Sequence, residues 1–207
     1  MTIRNLLTGR RRKLVITFCL ALNVASIFMW SQNLKPIHGG QGAGKRFEKS
    51  QNYPNEPLQI VDIKASKGKV RIGERFADSA DWLKAAELTV KNVSGKDIVY
   101  IEIDLNFPET KASGNEMSFP LRAGSRPLTA EATPVILKSE DQFVLRLDDQ
   151  KYNRLVRFIG ERHQISDIGE TVINVGFVIF SDGTAWGNGT SYHRDPLNPN
   201  RYIPNPM

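Results

Sequence analysis

Apolar and polar residues alternate along much of the chain from Leu58 onward, with a period of two rather than 3.6. The clearest stretch is Ile98 to Phe107, where Val99, Ile101, Ile103, Leu105 and Phe107 fall on one face and Tyr100, Glu102, Asp104 and Asn106 on the other. This predicts a half-buried strand, one face on a core and one toward water. Ala86 to Val93 precedes it, with Asn92, Ser94 and Gly95 as turn residues between, so the two are predicted to pair as an antiparallel hairpin. Thr171 to Phe180 puts Ile173, Val175, Phe177 and Ile179 on one face and is nearly as apolar on the other, as a central strand requires. Ser181, Asp182, Gly183 and Thr184 then predict a second hairpin, because Asp-Gly supplies positive φ values, and the chain returns through Ala185 and Trp186. With Leu58 to Lys64, Lys69 to Phe76, Glu116 to Leu121 and Val135 to Leu147 added, about seven or eight short strands emerge, the spacing of an antiparallel β-sandwich. One short helix interrupts them at Gln150 to Glu161, where Tyr152, Leu155, Val156 and Ile159 recur at helical spacing and Lys151, Arg154 and Arg157 are left for solvent.

The N-terminal region has a different pattern. Arg10, Arg11, Arg12 and Lys13 stand against an apolar run from Leu14 to Trp30. A basic head followed by such a run addresses a bacterial chain to export, with the cations retained on the cytoplasmic side. Seventeen residues is at the lower edge of a membrane helix and longer than a typical signal-peptide core. No clean Ala-x-Ala cleavage pair follows, and Trp30 suits the membrane interface. Residues 14–30 therefore read as a signal anchor, a single-pass transmembrane helix in the cytoplasmic membrane behind a basic head at 1–13. The N-terminus is then cytoplasmic and the C-terminal domain lies in the periplasm or exterior. Secretion after cleavage is the alternative. Arg11 to Val15 also fits the core of a twin-arginine signal.

Residues 31–57 are polar and rich in Gly, Pro, Gln and Asn, which predicts a flexible linker reaching on the order of 30 Å. Gly39, Gly44 and Lys45 match most of a phosphate-binding loop, but Arg46 stands where Ser or Thr should follow, and no strand pattern precedes Gly39. No nucleotide is expected. Residues 58–189 form the predicted β-sandwich domain, and 190–207, with Pro196, Pro199, Pro204 and Pro206, an irregular Pro/Asn-rich tail.

The net charge of +6 belongs to the ends of the chain rather than to this domain. Residues 1–13 carry +5 and 31–57 carry +2, leaving −1 for 58–207, so no nucleic-acid partner is expected. The only cysteine, Cys19, lies in the apolar run, so the exported part has neither a disulfide nor a thiolate metal site.

The stretch Ala86 to Phe107, AELTVKNVSGKDIVYIEIDLNF, resembles the opening hairpin of immunoglobulin-like and FxLYD-type domains in uncharacterised exported bacterial proteins. There, a strand ending in Lys-Asn leads through a Ser-Gly-Lys turn into an alternating strand. Phe180 to Trp186, FSDGTAW, is similar to the closing hairpin of that group. The likeness spans roughly residues 58–190 and departs in the inserted helix and the long tail. It implies an immunoglobulin-like β-sandwich serving as a binding or spacer module, and it brings no catalytic residues.

Candidate chemistry is sparse. Glu102 and Asp104 share a face two residues apart, a spacing open to a carboxylate pair or calcium ligands, although no Asp-rich loop accompanies them. His38, His163 and His193 are scattered, and Ser191, His193 and Asp195 lack the nucleophile elbow of a hydrolase. Asn92-Val93-Ser94 and Asn188-Gly189-Thr190 match glycosylation acceptors but read as turns. No metal, cofactor or catalytic residue is assigned. Trp186, Tyr192 and Tyr202 are the candidates for an aromatic contact surface for glycan or protein, with a core position the competing reading for Trp186. Arg154 and Arg157 offer charge to an acidic partner or lipid head groups. The chain is thus expected to be a non-enzymatic, membrane-tethered binding, scaffolding or spacer module with an envelope protein or glycan partner. Its rivals are an envelope glycan- or peptide-acting hydrolase using Glu102 and Asp104, and an assembly subunit pairing through an edge strand or the tail.

Overall fold

A computed structural model describes residues 44–126 and 134–205. The basic head, the apolar run 14–30 and the first part of the expected linker lie outside the described residues, as does the end of the tail. No helix among the described residues is long and apolar enough to cross a membrane. The protein is mainly β, with two sheets and one short α-helix.

The smaller sheet is antiparallel and runs β3-β2-β5-β8, built from Gly68–Val70, Leu58–Ala65, Glu87–Asn92 and Gln142–Arg146. The larger is organised around β9 (Glu170–Phe180), whose 11 residues pair along one edge with β6 (Ile98–Phe107), itself paired to β7 (Met117–Gly124). The other edge of β9 is shared. Its first half takes β1 (Lys45–Lys49) in parallel, and its second half takes β10 (Thr184–Gly187) antiparallel. β11 (Thr190–Arg194) and β12 (Tyr202–Pro204) extend the sheet beyond β10, and β4 (Arg75–Phe76) flanks β1.

Both sheets contribute to one apolar core, which includes Leu58, Leu88, Val90 and Leu145 from the smaller and Phe47, Ile101, Ile103, Leu105, Ile173 and Val175 from the larger. α1 (Asp149–His163) carries the chain from β8 to β9, and so from one sheet to the other. The Asp148 carboxylate accepts from Lys151 N at its start, Gln164 closes it in the left-handed conformation (φ 56°), and Leu155 and Ile159 are its buried contacts with the core. Val156, expected on the packed face, is exposed.

Five expectations are corrected. The linker does not extend to residue 57, because β1 lies within it: Phe47 is fully buried against Trp82, and Lys45 is buried with Nζ on Asp167 and on Ile168 O. One apolar residue in Lys-Arg-Phe-Glu-Lys gives no readable period, and the strand forms because β9 offers it an edge. The tail is not irregular throughout, since Thr190 to Arg194 and Tyr202 to Pro204 join the larger sheet, and the sheet is mixed rather than antiparallel because of β1.

β5 and β6 do not pair as a hairpin. Both edges of β5 are taken by β2 and β8, so the turn at Ser94-Gly95 carries the chain to the other sheet. Finally, the faces predicted for β6 and β9 each change phase part-way. The register slips between Ile98 and Tyr100 and between Glu102 and Ile103, leaving Val99 and Gly176 as the extra residues of two bulges. Val99, Phe177 and Ile179 therefore leave the core face, while Val178 and Phe180 join it.

Candidate functional site

The phase change at the two bulges creates a second apolar cluster on the face of the larger sheet turned away from the main core. Val99, Tyr100, Ile179 and Ala185 are its buried members, and Phe177, Tyr192 and Tyr202 pack over them half-buried. Phe177 is central. Tyr202 meets it edge-on at 5.6 Å between ring centroids, Tyr192 lies at 5.8 Å, and the Arg126 guanidinium sits 5.1 Å from the ring centre. The register explains the grouping, since Ala185 faces both Ile179 and Tyr192, and Tyr202 faces Arg194. Gly187 leaves room for this ring, because a Cβ there would stand 2.7 Å from Phe177 Cδ2.

A polar chain borders the rings. Tyr100 OH donates to Glu102 Oε2 at 2.7 Å, and Arg122 Nε donates to the same oxygen at 2.5 Å from β7. Burial first, then the hydrogen bond to Glu102 and its charge, push the Tyr100 pKa up to about 12. Burial works to raise Glu102, but the hydrogen bonds from Tyr100 and Arg122 and the nearby guanidinium charges outweigh it and hold the carboxylate below its ordinary value. Asp104 moves the other way. Burial, then the Glu102 charge, raise its pKa against the pull of Arg122 and a hydrogen bond from Ser118. The two carboxyl groups predicted to share a face do so, and their environments drive them apart.

The predicted contact residues are divided among three places. Tyr192 and Tyr202 belong to the outer face just described. Trp186 does not: it faces the main core, 3% exposed, with Tyr53 edge-on at 5.7 Å. Adjacent residues of one strand point to opposite faces, so Trp186 and Ala185 serve different clusters. Arg154 lies on α1, its guanidinium 5.9 Å from the Phe119 ring centre, and lines an open groove of about 680 Å³ between the helix and the segment 113–119. Phe158, Arg162 and His163 share that groove, and Ser113 Oγ lies 2.6 Å from His163 Nδ1. Arg157 is exposed and is not among the groove-lining residues.

His193 and Asp195 are each engaged elsewhere than with Ser191. His193 Nδ1 lies 2.8 Å from Asn205 Oδ1, and Asp195 Oδ1 accepts from Leu197 N and Asn198 N, which makes it a turn residue. Among the described residues, no three His, Cys, Asp or Glu side chains gather closely enough to hold a metal ion.

Sequence reasoning missed Phe177, Arg122 and Arg126 as parts of the outer face. Alternation already puts Tyr100 beside Glu102, so that pair is within reach, whereas alternation groups Phe177 with Ile173 and Val175 because nothing in it marks Gly176 as a bulge. Comparison of the chain with protein-family models, with curated proteins and with solved structures gives no match.

Proposed function

We propose that this chain is a membrane-tethered, exported binding module of the bacterial cell envelope. In this reading residues 14–30 anchor it in the cytoplasmic membrane, and the β-domain is an immunoglobulin-like sandwich held in the periplasm or exterior. Its outer sheet face receives an envelope protein or a glycan. The observation that carries the binding role is the half-buried ring cluster of Phe177, Tyr192 and Tyr202 beneath Arg126, lying outside the main core. Amphipathic rings beside guanidinium groups are the composition enriched in contact surfaces. The adjacent Glu102 and Arg122 supply directional polar contacts, and Glu102 is already held ionised.

The test is photocrosslinking in living cells from positions 192 and 202 of the full-length chain. A discrete set of adducts, lost when Phe177 is replaced by Ala in a chain that still folds, supports the reading. An adduct pattern unchanged by Phe177→Ala, or no adducts above background, rejects it. A C-terminal reporter active only outside the cytoplasm tests the topology separately.

The opposed displacement of the Glu102 and Asp104 pKa values favours a second reading, a hydrolase acting on envelope glycans or peptides, because acid and base roles are separated in this way. Here Asp104, with its pKa raised, would be the more readily protonated of the two and Glu102 the ionised partner. Turnover of envelope glycan or peptide substrates that disappears in Asp104→Asn with the fold intact supports it. Turnover unchanged in that variant rejects it.

A further inference from the structure

A smaller cleft lies where β10 and β11 meet the chain before β2 and the turn between β5 and β6. It encloses about 300 Å³, and Glu56, Lys96, Phe180, Trp186, Ser191 and Asn205 are among its lining residues. Two of these residues carry buried polar atoms that have no hydrogen-bond partner, Nε1 of Trp186 and Oε1 of Glu56. Both side chains are deep: Trp186 is 3% exposed and the Glu56 side chain 8%. An indole N–H is a donor only, and a carboxylate oxygen is an acceptor only. Leaving either unpaired in a buried site forfeits the hydrogen bond that water would have given it. Two residues that line the cleft therefore carry one unmet donor and one unmet acceptor.

The charges of the cleft are already matched. Glu56 Oε2 pairs with Lys49 Nζ at 2.7 Å, and Lys96 Nζ pairs with Asp182 Oδ2 at 2.7 Å while donating to Thr184 Oγ1 at 3.0 Å. An ionic ligand would have to displace one of these partners, whereas a neutral one would not. A hydroxyl group accepts and donates at once, so a molecule carrying hydroxyls satisfies both orphan atoms. The volume is at the low end of ligand pockets, which span roughly 300–1,000 Å³.

We infer that this cleft is a binding site for a small neutral polyhydroxylated ligand, one sugar unit in size, held between Trp186 Nε1 and Glu56 Oε1. The inference goes beyond the outer-face reading and rests on Trp186 and Glu56, which are not part of that face, although Ala185 and Tyr192 border both.

The test uses the full chain in lipid nanodiscs, with glucose, galactose and N-acetylglucosamine titrated separately and followed by ligand-observed saturation-transfer NMR. At least one sugar is expected to bind saturably, and Trp186→Phe, which keeps a ring but loses the donor, is expected to weaken it about two- to tenfold. Val144→Ser, exposed on β8 and not among the cleft-lining residues, leaves that affinity unchanged. If Trp186→Phe does not fold, Ser191→Leu, which fills the cleft from β11, is expected to abolish binding. No saturable binding by any of the three sugars means the cleft holds an ordered water only, and overturns the inference. Wild-type affinity in a folded Trp186→Phe or Ser191→Leu protein overturns it as well.

Discussion

The ring of Phe47 meets Trp82 edge-on at 4.8 Å, and this contact joins the first described strand to the core. Phe76 completes the group, 6.4 Å from Phe47 and 5.4 Å from Trp82, while Trp82 Nε1 donates to Ile168 O at 2.7 Å. Phe47 is fully buried, so Phe47→Ala is expected to cost about 3–5 kcal/mol, read as a lower urea midpoint with an unchanged slope. A chain beginning at Leu58 is expected to lose cooperative unfolding, because the edge of β9 that takes β1 would then be bare. Cooperative unfolding of that shorter chain at wild-type stability would show that β1 is dispensable.

Strands with sustained alternation were legible in the sequence; strands that depend on a neighbour were not. Ile98–Phe107 appears with the bounds its alternation gives, and the Asp182-Gly183 hairpin forms with Gly183 at φ 83° and Asp182 Oδ1 accepting from Thr184 N. β1, β11 and β12 carry too few apolar residues for a period, and sheet edges recruit them. Pairing partners are equally hidden, since a turn signal such as Asn92-Ser94-Gly95 serves a hairpin or a crossing between sheets. The outer face was half legible. Glu102 and Asp104 followed from alternation, whereas Phe177 required knowledge of the bulge at Gly176, a residue whose role depends on what lies above it.

Asp104 lies above it. A Cβ on residue 176 would stand 2.5 Å from Asp104 Oδ2, so glycine there lets the carboxyl group lie against the sheet. Gly176→Ala is expected to push that group outward and to cost about 1–3 kcal/mol. The pH dependence of Asp104 has a definite sign. Its folded pKa is raised, so the stability it contributes is present below the unfolded pKa and is lost as pH rises through the folded pKa. At pH 7 the ionised group is a net cost. Asp104→Asn is therefore expected to gain stability at pH 7, by less than about 1 kcal/mol, and to lose that advantage in acid, where both side chains are neutral. Urea titrations at pH 7 and pH 3 check this, and an equal effect at both values would remove the electrostatic explanation.

Tyr100 provides a spectroscopic handle on the same face. Its phenol is expected to ionise near pH 12, later than an ordinary tyrosine, because it is buried and donates to an ionised Glu102. Glu102→Gln removes the charge but keeps an acceptor, so the late phase of the ultraviolet titration should move to lower pH. Glu102 itself has a lowered folded pKa, so its contribution is present above the unfolded pKa and is lost as pH falls through the folded one. Glu102→Gln should accordingly flatten the acid limb of the stability curve. A tyrosine titration identical to wild type would mean that Tyr100 and Glu102 are not coupled in solution.

Asn92 governs the crossing between the sheets. It is fully buried, its Nδ2 donates to Lys96 O at 2.7 Å and to Leu137 O at 3.4 Å, and its Oδ1 accepts from Ser94 N at 3.0 Å and Ser94 Oγ at 2.7 Å. Its backbone N–H donates to Asp141 O while its carbonyl accepts from Glu140 N. The side chain thus needs a donor toward two carbonyl oxygens and an acceptor toward the turn, and an amide supplies both. Asn92→Ala leaves buried partners unmet and is expected to cost about 2–3 kcal/mol. Asn92→Asp preserves the shape but sets a carboxylate against two carbonyl oxygens, so at pH 7 it should be more damaging than Ala. It should recover in part in acid, where a protonated oxygen donates again. Urea midpoints of the three proteins at pH 7 and pH 4 decide the matter. An Asp variant as stable as wild type at pH 7 would show that the crossing depends on the turn backbone rather than on this side chain.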